Sequence, residues 1–463
     1  MSRETKLAKN TIILSIGTFL PRFASFITLP ILTAYLSKEQ YGVYDLITIL
    51  ASLLLPVTTL LISAASFRFL IERNRDIKSA RLYFSNSTGF MVPMSLFALT
   101  VLYFLLPIKS SSLKLWICIY LFFDALVSNV RQIARGMSKN IYYSISAIIS
   151  ALIKIIFALL LVRFLQYELL GAVVALAMSS FASFLFIAFK IRAHELFDPK
   201  LINLKTIKKM LAYSWPMVPN NLSGWVIRVS DRLIISIFMG LADNAVYAVA
   251  NKMPSLLMMA QSAFSMAWQE SASIASSNED VDKYYSRMFT VMNNFYSGCL
   301  GLIIALTPML FKILVRRDYS DAYPQMSILF LAVFFHCMSS FLGGIYIAFK
   351  KTRSVGLTTI AAAIVNLAVN GALIKFIGLF AASGSTLVSY MFLFFFRVYD
   401  VRKFVKIKYN VLKFSGSICV LMFESVLCLI NTRTLNIVNL CVASTAFFFL
   451  NREIAKKIIK KLK

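Results

Sequence analysis

Nine charged side chains lie inside stretches apolar enough to cross a lipid bilayer: Arg22, Arg68, Lys154, Arg228, Arg232 and Lys252, against Asp124, Asp231 and Glu424. A charge at the centre of a membrane helix costs about 2.5–3.5 kcal/mol even on a lenient insertion scale, so such residues face a cavity or each other. Six cations against three carboxylates leave an excess of positive charge in the membrane interior. That excess calls for an anionic partner. A pyrophosphate fits, because a guanidinium fork matches phosphate oxygens in pairs.

The densest polar stretch is 220–232, where Asn220, Gly224, Arg228 and Arg232 recur every four residues with Asn221 and Asp231 beside them. On a helix this spacing gathers the polar groups on one face, and Pro216 and Pro219 loosen the turns before it. Arg22 stands between Pro21 and Pro30, and Lys154 and Asp124 sit near the middle of their own apolar runs. The candidate substrate-binding set is therefore Arg22, Lys154, Asn221, Arg228, Arg232 and Lys252. Asp231, three residues after Arg228, can neutralise it locally. Asp124 is either a proton-exchanging carboxylate or the structural partner of Lys154 or Arg22. Arg68, close to the end of its run, can snorkel to the headgroups.

Catalytic chemistry has no support. No nucleophile–base pair is visible, and His194 and His336 have no acidic clusters around them. The six cysteines lie in apolar segments without CxxC spacing, which argues for packing rather than for zinc or disulfides. We expect no catalytic residues, no metal site and no cofactor.

These side chains must be positioned by membrane helices. The chain is 59% apolar over 463 residues, with a mean hydropathy of +0.75, against about 45–50% apolar in a soluble domain. Runs of about 20 apolar residues place spans near 11–36, 43–71, 83–108, 113–133, 141–164, 168–190, 211–238, 245–270, 286–311, 324–349, 355–377, 379–397, 412–430 and 434–451. The expected fold is an all-α polytopic membrane protein of about fourteen transmembrane helices, with twelve as the lower alternative. The first run is too long for a signal-peptide core and is read as a retained helix.

The net charge of +28 is explained by topology, with no domain to support nucleic-acid binding. Of 48 Lys and Arg, 33 fall at one membrane face, nine at the other and six within spans. Under the positive-inside rule both termini face the cytoplasm. The largest outer loop, 312–323, has no room for an extracytoplasmic enzyme domain, which argues against a polysaccharide polymerase or ligase.

The two halves echo one another. Gly42-Val43-Tyr44 matches Ala245-Val246-Tyr247, Arg81-Leu82-Tyr83-Phe84 matches Arg287-Met288-Phe289, Lys139 matches Lys351, and Gly171 matches Gly384. We read an N-terminal six-helix lobe (1–190), a cytoplasmic amphipathic linker (191–210), a C-terminal six-helix lobe (211–400), and two further helices with a basic tail (401–463). Six is even, so the repeats are parallel, and transporters built this way rock around a substrate held between the halves. In the linker, Leu201, Leu204, Ile207 and Leu211 recur at helical spacing among lysines, as in a helix lying on the anionic leaflet. The basic tail is read the same way, so membrane lipids are expected partners.

LPILTAYLSKEQYGVYDL at 29–46, SDRLIISIFMG at 230–240 and VYAVANK at 246–252, together with the six-plus-six repeat, resemble the Wzx-type polysaccharide-transport flippases of the MOP exporter superfamily. MATE exporters and the lipid II flippase are relatives of that family. The resemblance implies a bacterial inner-membrane flippase carrying undecaprenyl-pyrophosphate-linked oligosaccharide repeat units, for O-antigen, lipopolysaccharide or capsule, from the cytoplasmic to the periplasmic leaflet. It implies Arg22, Arg228, Arg232 and Lys154 as cavity residues, and a polysaccharide polymerase as a candidate partner. Two other cargoes remain open, lipid II for peptidoglycan and, through a MATE-like antiporter, cationic small molecules. The fourteen-span count favours the first of these, and the shortage of unpaired mid-bilayer carboxylates disfavours the second.

Overall fold

With no water to bond to, an apolar backbone in lipid satisfies its N–H and C=O groups within a helix, and no strand occurs among the described residues. The computed structural model describes residues 24–462 apart from 74–75, 277–278 and 350, and for a further set, Asn220 and Arg228 among them, the backbone alone. Eleven described helices are long and apolar enough to cross a membrane. They are α2 (Lys38–Thr59), α4 (Ile77–Leu105), α5 (Ser111–Gly136), α6 (Asn140–Phe157, continued by a π-helical turn Ala158–Phe164), α7 (Glu168–Ile191), α13 (Val281–Leu314), α14 (Ala322–Ala348), α15 (Thr352–Ile377), α16 (Leu379–Val401), α17 (Val411–Ile430) and α18 (Arg433–Leu462).

Three more helices complete the expected spans. The first, α1 (Ala24–Tyr35), starts at the edge of the described residues. The others, α10 (Met217–Phe238) and α12 (Lys252–Ala275), have the length but fall outside the apolar set. Their sequences explain this, since both carry several Ser, Asn or Gln together with charged residues.

Two expected spans are broken helices. The run 43–71 is α2 followed by α3 (Ile62–Glu72), because Leu60 and Leu61 take left-handed conformations (φ 46° and 55°). The run 245–270 divides at Asn251 between α11 (Leu241–Ala250) and α12. Lys252, expected inside a continuous span, thus opens α12 at a helix junction.

The chain forms two compact units, Met1–Trp225 and Val226–Lys463. In the first, α7 packs against both α5 and α6; in the second, α16 packs against both α14 and α15 in the same pattern. The repeat extends to backbone detail. Lys139 and Lys351, matched by sequence, precede α6 and α15 with nearly equal dihedrals (−85°, 48° and −92°, 47°). Each donates its N–H to the carbonyl five residues back, Ala134 and Tyr346 respectively, at 2.8 Å.

The second unit is organised around α14, whose Phe330, Phe334, Phe341 and Tyr346 are fully buried. The first has a core of Ile62, Leu70, Ala80, Ile133, Ala134, Ile191 and Met210 beneath the amphipathic helix α9 (Leu204–Ser214). The face that α9 buries carries Ile207, Met210 and Ser214, whereas Leu204 is 66% exposed. The chain leading into α9, by way of the one-turn helix α8 (Ala193–Leu196), is pinned to α4. Asn86 donates to the Leu201 carbonyl (2.9 Å) and accepts from the Asn203 N–H (2.7 Å), and the Asp198 N–H donates to Ser85 (2.8 Å).

Candidate functional site

Asp231 on α10 is 3% exposed. A bare carboxylate at such a place is costly, and the second unit supplies three neutral donors to it. Tyr247 Oη on α11 donates at 3.0 Å, Asn370 Nδ2 on α15 at 2.8 Å and Thr386 Oγ1 on α16 at 2.5 Å. Around this centre Ser230 donates to Asn366 Oδ1 (3.3 Å), and Asn366 Nδ2 donates to Ser385 (3.4 Å). The Ala382 carbonyl lies 3.5 Å from Tyr247 Oη. Four helices therefore converge on one carboxylate.

The donor set is informative chemically. Asp231, Asn366, Asn370, Thr386, Tyr247 and the Ala382 carbonyl are all hard oxygen donors, the kind that suit a small alkali cation. Asn370 Oδ1 is buried without a hydrogen-bond partner among the described residues. One carboxylate with neutral oxygens around it matches a single positive charge. The residues fit a proton or a sodium ion better than a divalent metal, and no group of three or more His, Cys, Asp or Glu that could hold a metal occurs among the described residues.

A second polar centre appears once in each unit. Arg397 on α16, 4% exposed, donates to the Ser339 carbonyl on α14 (2.8 Å) and to Thr358 and Thr359 on α15 (3.2 and 3.1 Å). Arg131 on α5, half-buried, donates to Ser146 on α6 and Ser183 on α7, both at 3.0 Å. Each guanidinium ties three helices. At the 212-residue offset of the two lysines, Ser146 corresponds to Thr358 and Arg131 to Gly343. A Cβ on Gly343 would stand 2.9 Å from Arg397 Nη1, so the missing side chain leaves the space that the second unit's arginine fills from α16.

The other expected site residues are distributed as follows. Arg22 lies outside the described residues, as does the side chain of Arg228. Arg232, next to Asp231, and Lys154, in the last turn of α6, are half-buried and engaged in polar interactions, as is Lys252. Lys154 precedes the π-helical turn, a kind of irregularity often found at functional sites. Gly171 allows that turn to approach, since a Cβ there would lie 3.1 Å from the Leu161 carbonyl oxygen. Asn221 is exposed and donates to the Met217 carbonyl at 3.0 Å. Asp124 lines a small cavity with Ala51, Leu54, Thr58, Ser95 and Leu99, and Arg131 stands two turns further along the same helix. Arg68 pairs with Glu72 at 3.0 Å on an exposed surface.

Asn366, Asn370, Tyr247 and Thr386 are absent from the sequence-derived set. Two asparagines four residues apart in the otherwise apolar AAAIVNLAVNGALI were the available signal. Arg131 and Arg397 were counted as topology charges, because each lies near a span end.

Comparison with known proteins gives this arrangement a family. A family model described as polysaccharide biosynthesis protein matches residues 7–272, more than half of the chain. No curated protein sequence matches it. Among solved structures, the lipid II flippase MurJ in an inward closed conformation is similar with a TM-score of 0.73 at 13% identity, over 97% of this chain and 100% of that one. An inward-facing multidrug-resistance MATE family transporter of the MOP superfamily is similar at 0.65 and 14% identity, over 84% of this chain and 98% of that one. A MOP superfamily transporter from Pyrococcus furiosus is similar at 0.58 and 12% identity, over 86% and 96%. The fold is that of the MOP exporters, and the chain is a member of the polysaccharide biosynthesis protein family.

Proposed function

We propose that this protein is a flippase moving undecaprenyl-pyrophosphate-linked oligosaccharide repeat units from the cytoplasmic to the periplasmic leaflet by alternating access. The observation that carries the reading is the polysaccharide biosynthesis family match, on a chain whose helices take the MOP-exporter fold. The likeness to the lipid II flippase runs over 97% of the chain, against 84% for the MATE exporter, which supports a lipid-linked cargo over a drug. The excess of cations over carboxylates in the spans supports an anionic headgroup. The Lys and Arg bias supports both termini in the cytoplasm of a bacterial inner-membrane protein.

In this reading Arg22, Lys154, Arg228, Arg232 and Lys252, with Asn221, contact the pyrophosphate and first sugars. The Asp231 centre holds the coupling cation: a bound proton or sodium ion would neutralise Asp231, while Asn370, Thr386 and Tyr247 keep the carboxylate oriented. Replacing Arg22 or Arg228 by Ala in a strain lacking the chromosomal copy should abolish surface polysaccharide with membrane abundance near normal. Lys should rescue partially, because it keeps the charge and loses the fork. Full surface polysaccharide in the double Ala variant contradicts the cationic-cavity reading.

A further inference from the structure

A cavity of about 890 Å³ lies inside the second unit, between α13, α17 and α18, away from the Asp231 centre. Its charged lining is Arg287 on α13, Lys413 on α17 and Arg452 on α18, all exposed, and Glu424 on α17. α14, also packed on α17, contributes no titratable group to the lining. Lys413 and Glu424 are eleven residues apart on one helix, about 16 Å along its axis. The carboxylate thus sits about half a bilayer core away from the cationic end. Between them the wall carries Thr290, Asn294, Ser297 and Ser417.

Glu424 is 1% exposed, and among the described residues neither carboxylate oxygen has a hydrogen-bond partner. Space for it comes from Gly301, where a Cβ would stand 2.6 Å from Oε2. An ionised carboxylate without donors in apolar surroundings is too costly to persist, so the group takes up a proton or gains water. A divalent cation would require several charged oxygens, and among the described residues Glu424 is the one acid in the lining. A lipid phosphate would stay at the cationic end, far from it.

We propose that Glu424 is a proton-exchange site reached by water from the cationic face through the cleft between α13, α17 and α18. The step is complete in itself: the carboxylic O–H bond breaks as the proton passes to cleft water, and it re-forms when the proton returns. The site is independent of the cargo and of Asp231.

The test uses the full-length protein reconstituted in phospholipid vesicles. Infrared difference spectra between acidic and alkaline pH should contain a deuterium-sensitive carboxylic-acid carbonyl band that Glu424→Gln removes and Asp124→Asn leaves in place. Separately, with Glu424 intact and the six native cysteines replaced, Thr290→Cys and Gly416→Cys should react with a membrane-impermeant thiol reagent added at the cationic face. A Cβ at Gly416 meets nothing within 4 Å, so that thiol is added to open space. A pH-difference spectrum unchanged by Glu424→Gln overturns the proposal. So do thiols at both positions that no aqueous reagent reaches, the outcome expected of a dry or lipid-filled cleft.

Discussion

Asp231 allows a sharp separation of structure from coupling, because two substitutions remove the same charge with different consequences. In Asp231→Ala, Tyr247, Asn370 and Thr386 all lose their acceptor in a buried site. Each stranded donor costs about 1–3 kcal/mol, offset in part by no longer burying a carboxylate, so the net loss is about 3 kcal/mol. In Asp231→Asn the new amide oxygen can accept from Tyr247 and Thr386. The new amide N–H₂ then faces Asn370, whose Oδ1 has no partner among the described residues. A flip of the Asn370 amide turns that oxygen to the new N–H₂ and leaves the Asn370 Nδ2 as the one stranded donor in place of three, so Asp231→Asn should cost about 1–2 kcal/mol, less than Asp231→Ala. Unfolding of the purified protein in mixed micelles by increasing sodium dodecyl sulfate measures the ranking. Added sodium at fixed pH should stabilise the wild type by preferential binding and leave Asp231→Asn unaffected. Equal destabilisation by Asn and Ala would refute the hydrogen-bond reasoning, and a wild-type cation response in Asp231→Asn would refute the coupling role.

Three further outcomes follow from named contacts. Arg397→Ala, which strands the acceptors Thr358, Thr359 and the Ser339 carbonyl, should lose about 2–4 kcal/mol in the same unfolding assay, with Arg397→Lys intermediate because one ammonium cannot span all three. Gly344→Ala places a Cβ 2.5 Å from the ring of buried Trp268, which is held by stacking on Phe341 at 4.4 Å and a 2.8 Å bond to its carbonyl. It should cost about 1–3 kcal/mol by overpacking, whereas Gly384→Ala, with open space around it, should gain about 0.5–1 kcal/mol from helix propensity. Reporter fusions after residues 110, 241 and 432 should score periplasmic and those after 200, 405 and 463 cytoplasmic; a periplasmic C-terminus contradicts the proposed orientation.

Much of the fold was legible because lipid imposes one solution on long apolar runs. The breaks were not. Leu60 and Leu61 adopt left-handed conformations without a Gly or Asn to announce them, and the Asn251 junction sits inside an unremarkable run. The amphipathic stripe of the linker was visible, but of its expected residues Leu204 points outward, and Met210 and Ser214 join Ile207 in the contact. For the site, charge was the strongest readable signal. It located Asp231 and the polar face of α10, yet the groups that satisfy Asp231 are neutral Asn, Thr and Tyr side chains from three other helices. Their convergence depends on tertiary packing, which spacing along the chain does not encode. Arg397 shows the opposite case: it lies at a span end where a basic residue reads as topology, and a glycine on the neighbouring helix makes room to bury it.

The central claim is that this protein moves a pyrophosphate-linked oligosaccharide lipid across the membrane. It is tested most directly with the purified protein in liposomes carrying an undecaprenyl-pyrophosphate-linked oligosaccharide whose sugar bears a fluorophore, quenched from outside by dithionite. Headgroups that start in the inner leaflet should become quenchable far faster with the protein than without it, and slowly again in the Arg22→Ala/Arg228→Ala variant. Lipid II labelled in the same way should be a poor cargo. Quenching that the protein does not accelerate, or accelerates for lipid II alone, would contradict the account.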